Sequence, residues 1–86
     1  LQTMKGILVS IKDELSGFVP PYWTGSEMEA KRDFMTKIDN TPLMRNHKKD
    51  FSVWKVGEYD TDTGEITDTN VKLIMRGEDY AERSNE

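Results

Sequence analysis

The stretch FSVWKVGEYDTDTGEIT, residues 51 to 67, contains the pattern that decides the fold. Phe51 and Val53 fall on one face of an extended chain, and Trp54 and Val56 fall on the other. Strand-forming residues on both faces are typical of a central strand, or of a strand whose second face is used for binding. A polar segment with a glycine follows, and strand-forming residues then resume. The stretch therefore predicts a strand, a hairpin turn and a returning strand.

A second strand is predicted near the start of the chain. Ile7, Val9 and Ile11 fall on one face and Ser10 and Lys12 on the other, which is the period of a half-buried strand, and the turn-forming DELSG follows. Phe18 and Val19 could begin a returning strand. Pro20 and Pro21 remove two backbone donors, so this segment must lie at a sheet edge or leave the sheet.

Residues 26–40 predict one amphipathic helix. Ser26 is the expected N-cap, with Glu29 three residues later as in a capping box, and Pro42 follows the expected end at Asn40. The predicted buried stripe consists of Ala30, Phe34 and Ile38, widened by Met35. Such a stripe should cover one face of a sheet.

The expected fold is α+β, with an antiparallel sheet of four or five strands and one helix packed on a face. Residues 71–76 are expected to form a last strand rather than a short helix. We expect a single domain over residues 4–76 and a polar tail over residues 77–86. Because Met4 can be an initiator and Leu1 cannot, residues 1–3 are expected to be a remnant added to the natural chain.

Size and composition limit the function classes. A chain of 86 residues buries a limited core, which disfavours a deep enzyme cleft. The absence of cysteine excludes thiolate metal sites and thiol catalysis. No apolar run is long enough to span a bilayer, and the start lacks the order of a signal peptide. We expect a soluble intracellular protein with no membrane partner.

The acidic segment after Tyr59 allows three interpretations. An EF-hand loop counted from Asp60 would need glycine at position six and a glutamate at position twelve, but glycine falls at five and Val71 at twelve. The Asp-Thr-Gly triplet at 62–64 also occurs in dimeric aspartic proteases, but there an apolar strand leads into it. A hairpin turn explains the segment better, because Gly64 can take a positive φ. We expect no metal and no cofactor.

No other constellation predicts catalysis. His47 is the only histidine, and the sequence places no nucleophile or carboxylate beside it. Phosphate-binding glycine loops, zinc-ligand spacings and hydrolase motifs are all missing. The chain is therefore expected not to be an enzyme, and no catalytic residue is assigned.

Charge is distributed unevenly along the chain. Residues 31–56 carry seven basic and three acidic side chains, whereas residues 57–86 carry three basic and nine acidic ones. Aromatic rings beside cations suit single-stranded nucleic acid, because rings stack on bases and cations contact phosphates. The candidate nucleic-acid-binding residues are Trp23, Lys31, Arg32, Lys37, Arg45, Lys48, Lys49, Trp54 and Lys55, with Tyr22 and Phe51 as further aromatics. The alternative is that the tryptophans belong to the core.

The acidic region supports a second hypothesis, a protein-interaction module that binds or inhibits a host protein. Its candidate residues are Glu58, Asp60, Asp62 and Glu65. A homodimer that pairs the basic region with the acidic one is compatible with either hypothesis.

The segments VSIKDELSGFVPPYW, AKRDF and DNTPLMRNHKKDFSVWKVGEYDTDTGEI together resemble the small nonstructural protein family of gokushovirus-type microviruses, which are single-stranded DNA phages. The corresponding positions are Asp13, Ser16, Gly17, Phe18, Pro20 or Pro21, Ala30, Phe34, Asn40, Asp50, Phe51, Gly57, Glu58, Tyr59, Asp60, Thr63, Gly64 and Ile66. HKKDF and Tyr59 depart from the family pattern. The resemblance implies a non-virion protein, often labelled DNA-binding, that is expressed in the host cytoplasm during genome replication. Its implied partners are single-stranded DNA or a host or phage replication protein, and it implies no catalytic residue.

Overall fold

A computed structural model describes residues 5–80 of the chain, so the expectations for residues 1–4 and 81–86 lie outside the described residues. The elements in chain order are strand β1 (Lys5–Asp13), strand β2 (Gly17–Phe18), strand β3 (Tyr22–Thr24), helix α1 (Glu27–Asn40), helix α2 (Pro42–Asn46), strand β4 (Phe51–Asp60), strand β5 (Ile66–Thr67) and strand β6 (Lys72–Arg76). Single 3-10 turns cover Lys48–Asp50 and Gly77–Asp79.

The six strands form one antiparallel sheet around the long central pair β1 and β4. Ile7 of β1 pairs with Glu58 of β4 and also with Thr24 of β3, so β3 lies on the outer edge of β1. Strand β2 pairs further along that same edge, and β5 and β6 share the outer edge of β4 in the same way. The sheet is therefore four strands wide, with both outer strands interrupted. The predicted α+β class with one main helix is confirmed, and the strand count is six.

Local sequence explains the interruption of the first edge. Pro20 and Pro21 lie between β2 and β3, where they cannot donate to a ladder. Before them, the Val19 amide donates to the Ile11 carbonyl at 3.0 Å, and the Ser10 hydroxyl donates to the Val19 carbonyl at 2.6 Å. The segment therefore remains hydrogen-bonded to β1 through Val19, although Pro20 and Pro21 have no amide to donate. This agrees with the position at a sheet edge that the prolines predict.

Helix α1 begins and packs as its sequence predicts. The Ser26 hydroxyl accepts a hydrogen bond from the Glu29 amide at 3.2 Å. The Glu29 carboxylate accepts from the Gly25 amide, one residue earlier than in a standard capping box. Ala30, Phe34 and Ile38 are fully buried and pack on the sheet face that carries Val9 and Val53, and the partly buried Met35 packs against this core. This face and α1 enclose the hydrophobic core.

A bulge in β4 changes which side chains share a face. Leu8 pairs with Gly57 and Val9 pairs with Lys55, so Val56 has no partner in β1. Without this extra residue, strand alternation would place Tyr59 on the same face as Val53. The bulge instead places Tyr59 on the opposite face, together with Trp54.

The structure differs from the sequence-based prediction at the predicted polar tail. Gly77 and Tyr80 are buried, and Tyr80 belongs to the core with 7 % of its surface exposed. The Tyr80 hydroxyl donates to the Asp39 carboxylate at 2.8 Å, and the Lys48 ammonium donates to the Tyr80 carbonyl. The folded domain therefore includes residues 77–80, because one aromatic side chain in a polar segment fills the space beside α1.

Candidate functional site

One face of the sheet lies opposite α1 and exposes a set of large side chains. Residues that pair across antiparallel strands lie on the same face, and residues at even positions of β1 point away from the core. We call this surface the open face and define it by Leu8, Ser10, Lys12, Phe18, Trp23, Ser52, Trp54, Tyr59, Ile66, Leu73 and Arg76. Phe18 is 48 % exposed and Trp23 is 39 % exposed, which is unusual for side chains of this size.

Four aromatic residues follow β1 in a row along the open face. Phe18 pairs with Lys12, Trp54 with Ser10, Trp23 with Leu8, and Tyr59 with Gly6. Successive partners are two residues apart along β1, or about 7 Å, so the row is about 20 Å long. The rings alternate between the two sides of β1, and Phe18 and Trp54 at one end of the row are in direct contact.

Contacts between neighbours hold the first rings of the row. The Phe18 and Trp54 ring centroids are 5.9 Å apart with an interplanar angle of 74°, an edge-to-face arrangement. The Trp54 indole N–H donates to the Ser52 hydroxyl at 2.7 Å. The Lys12 ammonium lies 5.6 Å from the Phe18 ring centroid and 6.0 Å from that of Trp54. This end of the row therefore combines two rings with a cation.

A glycine positions the third ring. A Cβ atom built on Gly6 would lie 2.5 Å from the Trp23 indole nitrogen, so the indole rests directly against the Gly6 backbone. Only glycine leaves space for the ring at this position.

Cations are few on the open face. Lys12 is the cation beside the rings, and Arg76 pairs with Ser52 next to Trp54. The Lys12 ammonium also lies 3.7 Å from the Glu14 carboxylate, but both groups are solvated, so the pair is weak. Any anionic ligand on this face would meet mainly aromatic surface and two basic side chains.

The structure brings only part of the predicted nucleic-acid site together. Trp23 and Trp54 both lie on the open face. The two further aromatics, Tyr22 and Phe51, point toward the core face. The predicted cations outside the sheet lie on α1, on α2 and in the following 3-10 turn. Those cations are Lys31, Arg32, Lys37, Arg45, Lys48 and Lys49.

Lys55 does not belong to the exposed surface for which it was predicted. It is 7 % exposed on the core face of β4, where its ammonium donates to Glu58 at 3.0 Å and to Asp68 at 3.3 Å. The hydrogen bond that Lys55 donates to Glu58 is the main cause of a raised Lys55 pKa. Two carboxylates thus already neutralise Lys55, which takes it out of the predicted binding set.

Sequence reasoning missed Lys12, Phe18, Tyr59 and Arg76 as members of one surface. The alternation in β1 places Lys12 on the polar face, but the register between strands cannot be predicted from that alternation. The bulge at Val56 also reverses the alternation that would have located Tyr59.

The acidic segment forms a hairpin turn closed by its own hydrogen bonds, as the hairpin interpretation predicted. The Asp60 carboxylate accepts from the Asp62 amide at 2.8 Å, the Gly64 amide donates to the Asp60 carbonyl at 2.8 Å, and Gly64 has a φ of +77°. Glu58 binds Lys55, whereas Asp62 and Glu65 are exposed. Within residues 5–80, no group of three or more histidine, aspartate or glutamate side chains is placed to bind a metal ion.

A groove runs between β3 and α1 at the edge of the sheet. It has a volume of about 520 Å³ and is lined by Tyr22, Trp23, Thr24, Glu29, Arg32, Asp33, Thr36 and Lys37. The Tyr22 hydroxyl donates to the Asp33 carboxylate at 2.9 Å, and the Lys37 ammonium donates to the same carboxylate at 2.6 Å. Burial of the Tyr22 hydroxyl raises its pKa, and the hydrogen bond to Asp33 and the charge of Asp33 raise it further. The hydrogen bond donated by Lys37 lowers the pKa of Asp33.

Comparison with protein families identifies the group to which the chain belongs. A family model described as Phage ORF5 protein matches residues 6–80. The chain belongs to the phage ORF5 protein family. The ORF5 match extends from the start of β1 to Tyr80, so it includes both long strands, α1 and the four aromatic residues of the open face. Searches of curated proteins and of solved structures gave no match. No helix within residues 5–80 is long and apolar enough to cross a membrane.

Proposed function

We propose that this phage ORF5 protein is a non-enzymatic accessory factor that binds single-stranded DNA on the open face of its sheet. The observation that carries the proposal is the row of Phe18, Trp54, Trp23 and Tyr59 beside Lys12. Base-aromatic stacking contributes about 1–3 kcal/mol per base and tolerates any sequence, because every base has a π-face. Lys12 and Arg76 are the cations that would contact phosphates.

The row favours single-stranded over double-stranded DNA. In a duplex the base faces are stacked on one another and unavailable to protein rings, whereas a single strand can place its bases on them. Four rings along about 20 Å would accommodate about three or four bases. The proposed binding function needs no catalytic group.

The resemblance noted in the sequence supports the finer assignment of this proposal. Within the phage ORF5 family, the protein would be the nonstructural protein of a gokushovirus-type microvirus. It would act in the host cytoplasm during replication of the single-stranded genome, either on the DNA or beside a host or phage replication protein.

The test is fluorescence anisotropy of a labelled oligothymidylate titrated with the protein at low and at moderate salt, with tryptophan emission followed in parallel. We expect binding that quenches tryptophan emission. Phe18→Ala and Trp54→Ala should each weaken binding about tenfold, whereas Met28→Ala, at an exposed position of α1, should leave it unchanged. Circular dichroism of each variant verifies the fold. Absence of binding at low salt, or wild-type affinity in both aromatic variants, would overturn the proposal.

A second candidate function is supported by the exposed acidic hairpin between β4 and β5, where Asp62 and Glu65 project from the sheet. Such a tip could meet a basic surface on a protein partner. Affinity capture from a host lysate tests it: Asp62→Lys with Glu65→Lys should release the captured protein, whereas Glu14→Lys, at the other end of the sheet, should not. Retention by the double variant would count against this candidate. Charge-driven homodimerisation also stays a prediction, which light scattering at two salt concentrations would test.

A further inference from the structure

The groove between β3 and α1 is connected to the open face through Trp23. This residue pairs with Leu8 on the open face, and it also lines the groove. Strand β3 is only three residues long and lies at the sheet edge. A ligand that covers Trp23 on the open face therefore needs to cross only one short strand to reach the groove.

The charged groups in the groove are not equivalent. Asp33 neutralises Lys37 at 2.6 Å, and the Glu29 carboxylate accepts from the Gly25 amide. Within the described part of the chain, no hydrogen bond or ion pair engages the Arg32 guanidinium, and its side chain is exposed. Arg32 is thus the cation of this groove that is available to an anion.

We propose that a DNA strand stacked on the open face continues over β3 into the groove, where Arg32 binds one of its phosphates. This inference rests on the proposed function and adds a second contact region to it. A guanidinium is suited to the role, because its planar array of donors binds two phosphate oxygens at once. The Thr24 hydroxyl on the groove wall is a further donor for the backbone of the strand, whereas the Thr36 hydroxyl already donates to the Arg32 carbonyl at 3.0 Å.

The proposal predicts a dependence on oligonucleotide length. A strand of four nucleotides can be held by the aromatic row alone, whereas a strand of eight extends past Trp23. Arg32→Ala should therefore weaken binding of the eight-nucleotide strand about five- to twentyfold and leave the four-nucleotide strand unaffected. It should also reduce the slope of log affinity against log salt by about 0.7 for the longer strand, the value for one phosphate contact.

Lys31→Ala is the matched control. Lys31 was predicted from the sequence to bind nucleic acid, but it is the adjacent exposed cation of α1 and lies neither on the open face nor in the groove. The substitution should change neither strand's affinity. Measurements use oligothymidylates of four and eight nucleotides with the full chain. If Arg32→Ala binds both strands as the wild type does, while Phe18→Ala still weakens both, the groove proposal fails and the proposed function stands. Equal losses on both strands would likewise overturn the groove proposal, and a wild-type chain that binds neither strand would overturn both.

Discussion

The position of the Trp23 indole depends on the missing side chain of Gly6. The ring lies so close to the Gly6 backbone that a methyl group would overlap it. At Gly57 the restriction is weaker, since a Cβ built there would lie 3.3 Å from the Ile66 Cγ2 methyl group. Two glycines of the central strands therefore shape the open face without contributing any side chain to it.

Gly6→Ala should displace the Trp23 ring, because the two cannot occupy the same space. We expect a shift in tryptophan emission and at least a fivefold loss of affinity for oligothymidylate, since one stacking surface is lost. Gly57→Ala is the control, and it should change both quantities much less. Unchanged emission in Gly6→Ala would contradict the described position of the indole.

Lys55 contributes to stability rather than to ligand binding. Removing its ammonium leaves Glu58 and Asp68 near each other without a shared cation. We expect Lys55→Met to lower the free energy of unfolding by about 1–3 kcal/mol, as measured by urea denaturation. Lys72→Met, at the exposed position that pairs with Lys55, should change it by less than about 0.5 kcal/mol. Equal effects of the two substitutions would mean that the two carboxylates do not stabilise Lys55.

At the scale of elements, the helix α1 and strand β3 are joined by the Tyr22–Asp33 hydrogen bond. The Tyr22 pKa is raised from its ordinary value of 10.0, so the folded state holds this proton more tightly than the unfolded state does. Its contribution to stability is therefore complete below pH 10 and is lost as the pH rises from 10 toward the folded-state pKa.

Tyr22→Phe tests this linkage. We expect the wild type to have a higher free energy of unfolding than the variant, and this difference should be larger at pH 7 than at pH 11. At high pH the unfolded wild type is stabilised by ionisation of Tyr22, which the variant lacks. Urea denaturation at both pH values measures the difference, and the other tyrosines cancel in the comparison. A difference that does not shrink at pH 11 would contradict the raised pKa.

The sequence predicted those elements whose signals are local. The signals for α1 lie within one stretch of chain: the N-cap Ser26, the stripe through Phe34 and the terminating Pro42. Residues 51–60 likewise predict a central strand from their own side chains. The membership of the open face depends instead on register and on the bulge at Val56, which are set by pairing between distant residues. For the same reason Lys55 was predicted as exposed: Glu58 is three residues away, but Asp68 reaches it only after the chain turns back.

At the scale of the whole molecule, the charge of -4 limits how electrostatic the binding can be. The proposed contacts use Lys12 and Arg76 on the open face and Arg32 in the groove. We expect a slope of log affinity against log salt of about -2 for a long single strand, since each phosphate contact contributes about -0.7. Anisotropy titrations over a series of salt concentrations measure it. A slope steeper than about -4 would show that more cations contact DNA than the three proposed.

The interruptions in both outer strands have a consequence beyond the binding site. An uninterrupted outer strand offers a row of free amides and carbonyls on which another chain can add, and this is how sheets grow into cross-β polymers. Here Pro20 and Pro21 divide one sheet edge into strands of two and three residues, β2 and β3. At the other edge Asp68, whose backbone has a φ of +47°, lies between β5 and β6. The domain can thus expose a large aromatic surface to solvent while its borders resist templated aggregation.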